Sequence, residues 1–198
     1  MSSPGAVGVT DLSVRRRRRA NESVTAALID ATVGWLRESS LDAVTVGAVA
    51  ERAGISPVVA DELFGSIDEL ILETCLSRLS AVALSDEADQ GSLARVAEQL
   101  GRMMIAVADE PAIASACAAV YLHAGTAAAR AQERIGLEIH RLITSAMGPG
   151  CWPEVITTLE FIFSGALIQA AMGTMSFEKA AEGVETAVSL ILDGPPRR

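Results

Sequence analysis

Apolar residues recur every three to four positions along most of the chain, which is the spacing that gathers them on one side of an α-helix. Strict alternation of apolar and polar residues, and the Asn-Gly turns that join β-strands, are nearly absent. One apolar stripe runs through Leu93, Val96, Ala97, Leu100, Met104 and Val107. The pattern predicts an all-α protein of about nine helices.

Two short helices are predicted after a first helix over about residues 23–40. Thr45 suits the N-cap of the second helix, and Gly54 stands where a left-handed residue closes it. Ser56 suits the next N-cap, and Pro57 suits the first helical position after it. The N–H that proline lacks would have no partner within the helix at that position. Gly65 ends this third helix. Two short helices joined by a tight turn predict a helix-turn-helix.

Longer helices follow from about residue 68 and predict a helical bundle. The helix over residues 153–175 is apolar nearly all round, so it must be covered on all sides, and a second subunit is the natural cover. Together with the last helix it predicts a four-helix interface between two copies of the chain, the alternative being packing within one chain. The predicted interface residues are Gly165, Ala166, Ala170, Gly173, Val184, Ala187, Val188 and Ile191.

Net charge and cysteine spacing exclude several classes of function. A formal charge of −9 over 198 residues excludes a protein that coats nucleic acid through overall positive charge, although local basic patches remain possible. Cys75, Cys117 and Cys151 fit no metal-site spacing and predict reduced thiols in a helical core. Because patterns for nucleophilic catalysis and phosphate-binding loops are missing, we expect no enzyme, no metal site and no cofactor.

A basic run near the N-terminus consists of Arg15, Arg16, Arg17, Arg18 and Arg19, called the arginine run below. The polar stretch after it is unlike the apolar core of a signal peptide. We expect residues 1–19 to be a disordered arm that contacts a polyanion. The most apolar stretch, residues 161–175, is too short to span a bilayer, so we expect a cytoplasmic protein with no membrane partner.

The helix-turn-helix segment resembles the TetR family of bacterial one-component transcriptional regulators. That family's pattern runs Thr-Val, Ile-Ala, Ala-Gly-Val-Ser, an aromatic residue at the end of the third helix, and then Ser-Lys-Glu and Leu. The matching residues, which need no gap, are Thr45, Val46, Val49, Ala50, Ala53, Gly54, Ile55, Ser56, Phe64, Ser66, Asp68 and Leu70. The likeness is specific over about residues 24–70 and architectural beyond them. It implies a homodimer with an N-terminal DNA-binding head and a C-terminal helical body that holds an effector pocket.

The chain departs from that pattern mostly at positions where the family contacts phosphate. Gly47, Val58, Val59, Asp61, Leu63 and Ile67 stand where the family commonly has arginine, glycine, threonine, tyrosine, histidine or tyrosine, and lysine, respectively. Most of these positions have therefore lost a hydrogen-bond donor or gained negative charge. From residue 20 to residue 67 there are two arginines and seven carboxylates, a net charge of −5 that the arginine run offsets.

The arginine run makes DNA binding plausible despite the acidic third helix. Arginine-rich arms can enter a narrow minor groove, and five neutralised phosphates would give a salt slope of roughly −4 to −5. Val58 and Val59 would contact thymine methyl groups, and Asp61 or Glu62 would accept from cytosine N4. The alternative is that these carboxylates form a solvated face that repels phosphate. The predicted DNA-binding residues are Arg15, Arg16, Arg17, Arg18, Arg19, Thr45, Ser56, Pro57, Val58, Val59, Asp61 and Glu62.

The larger side chains of the body predict an apolar effector pocket, in keeping with the resemblance. Tyr121 and His123 would supply its polar groups, and the alternative for each residue is ordinary core packing. The predicted ligand-binding residues are Met103, Met104, Tyr121, His123, Trp152, Phe161 and Phe163.

These expectations combine into a homodimeric TetR-like regulator that binds double-stranded operator DNA. We expect a repressor released by a small, mostly apolar effector. The alternative is a dimer of the same fold whose degenerate head no longer binds DNA and which binds a ligand or a partner protein. The predicted domains are the arm over residues 1–19, the helix-turn-helix domain over residues 20–67, and the ligand-binding and dimerisation domain over residues 68–198.

Overall fold

The computed structural model describes residues 7–84, 91–123, 125 and 128–193, with side chains from Ser13 onwards. Within these residues the chain is helical and contains no β-strand, which confirms the predicted all-α class. The helices are α1 (Val7–Glu38), α2 (Val46–Ala53), α3 (Pro57–Leu63), α4 (Ile67–Ser80), α5 (Ser92–Ala108), α6 (Pro111–His123), α7 (Ala129–Met147), α8 (Pro153–Ala171) and α9 (Phe177–Leu192). A single 3-10 turn, Leu41–Ala43, separates α1 from α2.

Helix α1 begins much earlier than predicted. It takes in the whole arginine run, so the expected disordered arm is corrected for residues 7–19, while residues 1–6 lie outside the described residues. Arginine is a good helix former, and Arg18 donates from Nε to the Glu22 carboxylate one turn later at 2.8 Å. Both factors favour helix in a segment whose repeated charge suggested an unfolded arm.

The predicted ends of α2 are confirmed. The Thr45 hydroxyl accepts a hydrogen bond from the Ala48 N–H at 3.1 Å, as an N-cap residue should. Gly54 closes the helix in the left-handed conformation with φ of 67°, where a side chain would be strained. Pro57 occupies the first turn of α3, as its missing N–H predicts. The tight turn between the two helices therefore follows from residue types within a few positions of it.

The chain divides into two compact units, Met1–Leu70 and Ile71–Arg198, and the division falls within α4. In the first unit, α2 packs against α1 and α3. The indole N–H of Trp35 points at the Ala48 carbonyl at 3.4 Å, and Leu28 and Phe64 are buried. The assignment of DNA binding to one domain and of ligand binding to the other stays a prediction.

Helix α5 is the centre of the second unit and packs against α6, α7, α8 and α9. Its inward stripe, which includes Leu100 and Met103, meets Leu142 of α7, Phe163 of α8 and Val188 of α9 in a core that excludes solvent. The helices predicted from the 3.6-residue apolar period thus pack together as a bundle.

Helix α8 is long and apolar enough, by length and composition alone, to cross a membrane. Over 18 residues its mean hydropathy is 1.3, and only 28% of that stretch is buried. This corrects the expectation that the apolar stretch is too short, since the helix begins eight residues before residue 161. Helices α5 and α6 meet the same criterion only as a pair, and they are bent by 97° between them. Most of α8 is therefore at least partly exposed in a single copy of the chain.

Candidate functional site

Helix α3 has one buried side and one exposed side. Ala60 packs into the first unit, and the residue after the helix, Phe64, does the same. The opposite side, called the α3 face below, is exposed and consists of Pro57, Val58, Val59, Asp61 and Glu62. The Val58 side chain is 66% exposed, a large value for an apolar residue in so short a helix. The structure thus brings the five predicted α3 residues together on one accessible surface.

Two hydroxyl groups lie at the starts of α2 and α3. Thr45 is exposed and uses its oxygen as an acceptor for the α2 cap, which leaves its O–H able to donate. Ser56 is exposed at the start of α3, and its side chain makes no cap hydrogen bond. Hydroxyl groups and helix N-termini are common donors to phosphate oxygens. Both residues are therefore exposed hydroxyl groups at helix starts.

Arg52 is engaged in an ion pair within the first unit. Its two terminal nitrogens donate to the two carboxylate oxygens of Glu38 at 2.7 and 2.6 Å. This hydrogen bonding, supported by the charge of Arg52, lowers the pKa of Glu38 below its ordinary value. The guanidinium also lies close to Gly34, where an added Cβ would approach it to 2.9 Å. One of the few cations of the helix-turn-helix is therefore held against α1.

The arginine run is exposed along α1. Successive residues of an α-helix point about 100° apart, because one turn takes 3.6 residues. The five side chains therefore radiate in all directions around the axis, and only about half of them can face one neighbouring surface. Sequence reasoning placed the charge correctly but did not give this geometry.

The second unit contains an apolar cavity with a volume of about 50 Å³. Helices α4, α6, α7 and α8 supply most of its wall, and α5 contributes one residue. The lining residues are Cys75, Leu79, Val107, Ala114, Cys117, Ala118, Tyr121, Ile135, Ile139, Ser164, Leu167 and Ile168. The space holds about four water-sized positions at ~10–15 Å³ each.

The seven predicted ligand-binding residues are not gathered at this cavity. Tyr121 lies in its wall and is 37% exposed. Met103, Met104 and Phe163 are buried in the core, while Trp152, Phe161 and His123 are exposed. The His123 ring nitrogen Nδ1 lies 2.9 Å from the Ala119 carbonyl of the same helix. The sequence did not indicate which side chains line the open space, because that depends on how α4, α6, α7 and α8 pack.

The cavity residues that sequence reasoning missed carry a weak signal in retrospect. On α6, Ala114, Cys117, Ala118 and Tyr121 recur at three- and four-residue intervals and share one face. Small side chains at this spacing leave room beside a helix. The sequence does not tell which neighbouring helix would fail to fill that room.

A groove between α8 and α9, called the α8/α9 groove below, lies on the outside of the second unit. Its wall includes Phe161, Gly165, Ala166, Lys179 and Gly183. Phe161 is 73% exposed. Of the predicted interface residues, Ala170, Val184 and Val188 are buried within their own chain, and the interface itself stays a prediction.

No group of three or more histidine, cysteine or acidic residues within the described ranges is placed to hold a metal ion. The three cysteines are free thiols, but Cys151 lies between α7 and α8, so the expected place in a helical core is wrong for it. Cys75 and Cys117 are buried, and Cys151 is half-buried.

Comparison with known proteins yields relatives of similar length. No family model matches the chain. An uncharacterised HTH-type transcriptional regulator of Mycobacterium bovis is 38% identical over 180 residues, which cover 90% of this chain and 84% of the relative. Two regulators of the same description from Mycobacterium tuberculosis strains match equally well, at 38% identity over the same length.

The fold also matches a solved structure. A TetR transcriptional regulator from a Rhodococcus species superposes with a TM-score of 0.75, covering 90% of this chain and 99% of that one, at 17% sequence identity. That likeness shows the fold, and the mycobacterial relatives add a common ancestry across nearly the whole length. Together with the Thr45-capped helix-turn-helix, they identify the chain as a member of the TetR family of helix-turn-helix transcriptional regulators.

Proposed function

We propose that the protein is a cytoplasmic homodimeric repressor that binds operator DNA and is released by a small, mostly apolar effector. The observation that carries this proposal is the exposed α3 face, which stands free of its own chain and has the Ser56 hydroxyl at the start of its helix. A helix of this kind fits the major groove with its N-terminal residues nearest the bases. Val58 exposes an apolar side chain on this face, where it is accessible to a base.

Base contacts by the α3 face would be unusual in their chemistry. Val58 and Val59 can contact thymine methyl groups, and the carboxylate of Asp61 or Glu62 can accept from cytosine N4. Carboxylates also repel phosphates and guanine acceptors. The α3 face therefore favours a particular pattern of thymine and cytosine. Its contacts with the DNA phosphates add little to the affinity.

The arginine run would supply the affinity that the α3 face lacks. Phosphate contacts provide most of the non-specific binding energy of DNA-binding proteins. With α1 helical, two or three of the five arginines can face the duplex, for a salt slope contribution of roughly −2 to −3. This is smaller than the slope of an extended arm that uses all five.

A homodimer would match two such heads to a palindromic operator, with half-sites one helical turn apart. The α8/α9 groove supports this assembly, because the exposed side of α8 combines Phe161 and Met172 with the small residues Gly165 and Ala166. Small residues allow two helices to approach closely. A two-fold axis at this groove would build a four-helix interface from two copies of α8 and α9.

Effector release would work by population shift. The body would have two conformations, and in one of them the two heads are wrongly spaced for the operator. A ligand that binds this conformation more tightly lowers the operator affinity, by at most the difference in its own affinity for the two conformations. Helix α4 is suited to carry the change, because it contributes Cys75 and Leu79 to the cavity and belongs to both units. Coupling of this kind is typically worth about 1–3 kcal/mol.

One observation favours a second function. The α3 face carries two carboxylates and no cation, and Arg52 of α2 is paired with Glu38. A pair of helices so poor in cations as α2 and α3 fits a dimer that has kept the fold for ligand or partner binding and no longer recognises DNA. An enzyme is a distant third and would have to convert a substrate.

Fluorescence anisotropy with the DNA upstream of its own gene tests the proposal, at several salt concentrations and with excess competitor DNA. A repressor should bind this duplex in the presence of competitor. Replacement of all five arginines of the run by glutamine should reduce the magnitude of the salt slope by about 2. The matched control replaces Arg130, Arg134 and Arg141 of α7, and it should leave the slope unchanged. Loss of all binding under competitor at every salt concentration would favour the degenerate head.

A further inference from the structure

Two cysteines lie together in the wall of the body cavity. Cys75 comes from α4 and Cys117 from α6, and the two buried sulfurs are within hydrogen-bonding reach of each other. The Cys117 sulfur also lies 3.7 Å from the Ile71 carbonyl, so its S–H has two possible acceptors. Because both thiols face the cavity, a molecule that enters it can react with them.

The two thiols differ in acidity. The hydrogen bond from Cys117 lowers the pKa of Cys75 against the opposing effect of burial, and the positive charge of Arg78 adds a smaller lowering. The same hydrogen bond, together with burial, raises the pKa of Cys117 well above its ordinary value. Cys75 is therefore the more acidic of the two thiols. Thiolates are the nucleophilic form of cysteine.

Arg78 is held in place near this pair. Its guanidinium donates to Glu110 at 2.8 Å and to the Ala106 carbonyl at 3.4 Å. Both partners of the ion pair are largely buried, so solvent screens the charge less than at an open surface. The environment that activates Cys75 is thus fixed by packing.

The rest of the wall selects the kind of molecule that can reach Cys75. Leu79, Val107, Ile135 and Ile139 make the space apolar, which favours an uncharged compound over a charged one. The hydroxyl groups of Tyr121 and Ser164 can donate to a carbonyl oxygen. A volume of about 50 Å³ admits only a small compound.

We propose that Cys75 is a covalent acceptor for small α,β-unsaturated aldehydes and ketones, and that this addition is the effector signal. The inference rests on the proposed function for its regulatory meaning, and on the cavity for its chemistry. The Cys75 thiolate donates an electron pair to the β-carbon and forms a C–S bond, while the C=C π pair moves towards the carbonyl as an enolate. The enolate then takes up a proton at the α-carbon. The net change is addition of S–H across C=C, with no oxidant or reductant.

A two-thiolate metal site is less compatible with the same residues. It would require Cys117 to ionise beside an ionised Cys75, which the hydrogen bond and burial both oppose. No third histidine, cysteine or acidic ligand is clustered there within the described part of the chain.

The test treats the full-length protein with methyl vinyl ketone and locates the adduct by peptide mass spectrometry. Cys151 is an internal reference, because it is half-buried and lies outside the cavity. We expect Cys75 to be modified faster than Cys151, and Cys117→Ala to slow the reaction at Cys75. A bulky maleimide polymer should reverse the preference, because it cannot enter the cavity. Labelling of Cys151 with an unmodified Cys75 would overturn the inference.

The regulatory half is tested by operator binding of treated protein. Treatment should weaken binding at least about fivefold, whereas the operator affinity of Cys75→Ala should be the same with and without the ketone. Cys151→Ala is the matched control and should respond like the natural chain. An adduct on Cys75 with unchanged operator binding would overturn the effector role. If the untreated protein binds no operator, the proposed repressor function fails, whereas the adduct measurement still decides whether Cys75 is the acceptor.

Discussion

Asp61 sets the character of the α3 face at the scale of single residues. Its carboxylate is exposed beside Val58 and Glu62, on the side of α3 that its own chain leaves free. Two unit charges 4 Å apart interact by about 1 kcal/mol in water, so the residue repels any phosphate that comes close. A cytosine amino group in the same position would offset this repulsion through a hydrogen bond. One side chain would thus oppose DNA in general and favour a particular sequence.

We predict that Asp61→Asn raises the affinity for a scrambled duplex up to about fivefold and reduces the preference for the operator. The expected gain follows from the lost repulsion, and the lost preference follows from a weaker acceptor for cytosine N4. Anisotropy titrations of the two duplexes measure both effects. Asp42→Asn, which changes an exposed carboxylate in the 3-10 turn before α2, should leave the ratio of the two affinities unchanged. An equal change on both duplexes for Asp61→Asn would mean that its carboxylate has no role in base recognition.

The individual helices show which parts of the structure the sequence could predict. The ends of α2 follow from Thr45 and Gly54, because capping depends on residue types within about four positions. The start of α1 did not follow, since a run of like charges disfavours a helix while the propensity of arginine favours it. The cavity did not follow either, because its volume depends on how the helices around it pack. Local chemistry was predictable, and the packing of distant segments was not.

We predict that Thr45→Ala lowers the free energy of unfolding by about 1 kcal/mol, because the Ala48 N–H loses its acceptor. Urea denaturation followed by circular dichroism measures the change. Ser56→Ala is the matched control at the next helix start, where the side chain makes no cap hydrogen bond, and should cost less than half as much. Equal losses for the two variants would show that the Thr45 cap contributes nothing of its own.

At the scale of the whole molecule, α8 exposes more apolar surface than a single chain can cover. Phe161 and Met172 are spaced so that they share one side of the helix, and both are largely exposed. Burial of a phenylalanine side chain is worth about 1.5–3 kcal/mol. In a two-fold interface each contact occurs twice. Dissociation therefore exposes two copies of this apolar surface to water, and the free-energy cost is twice that of one copy.

We predict that Phe161→Asp dissociates the dimer, with the dissociation constant raised at least about a hundredfold for a loss of about 3 kcal/mol over two copies. Sedimentation velocity over a dilution series measures it. Leu137→Asp is the matched control, because Leu137 is also exposed, at 62%, but lies on α7 away from the α8/α9 groove. Dissociation by the Leu137 variant, with Phe161→Asp still dimeric, would move the interface to another surface.

The helical form of the arginine run couples DNA binding to a helix–coil equilibrium. To bring all five guanidinium groups to one duplex, α1 must unwind from its N-terminus through residue 19. Helix propagation is worth at most about 0.3 kcal/mol per residue, so unwinding these turns costs no more than about 4 kcal/mol, comparable to the gain from two extra phosphate contacts at low salt. Low ionic strength and warmth would then favour a melted, fully engaged arm, whereas high ionic strength and cold would favour a helix that uses half its charge. The number of phosphates the protein neutralises becomes a property of the solution as well as of the sequence.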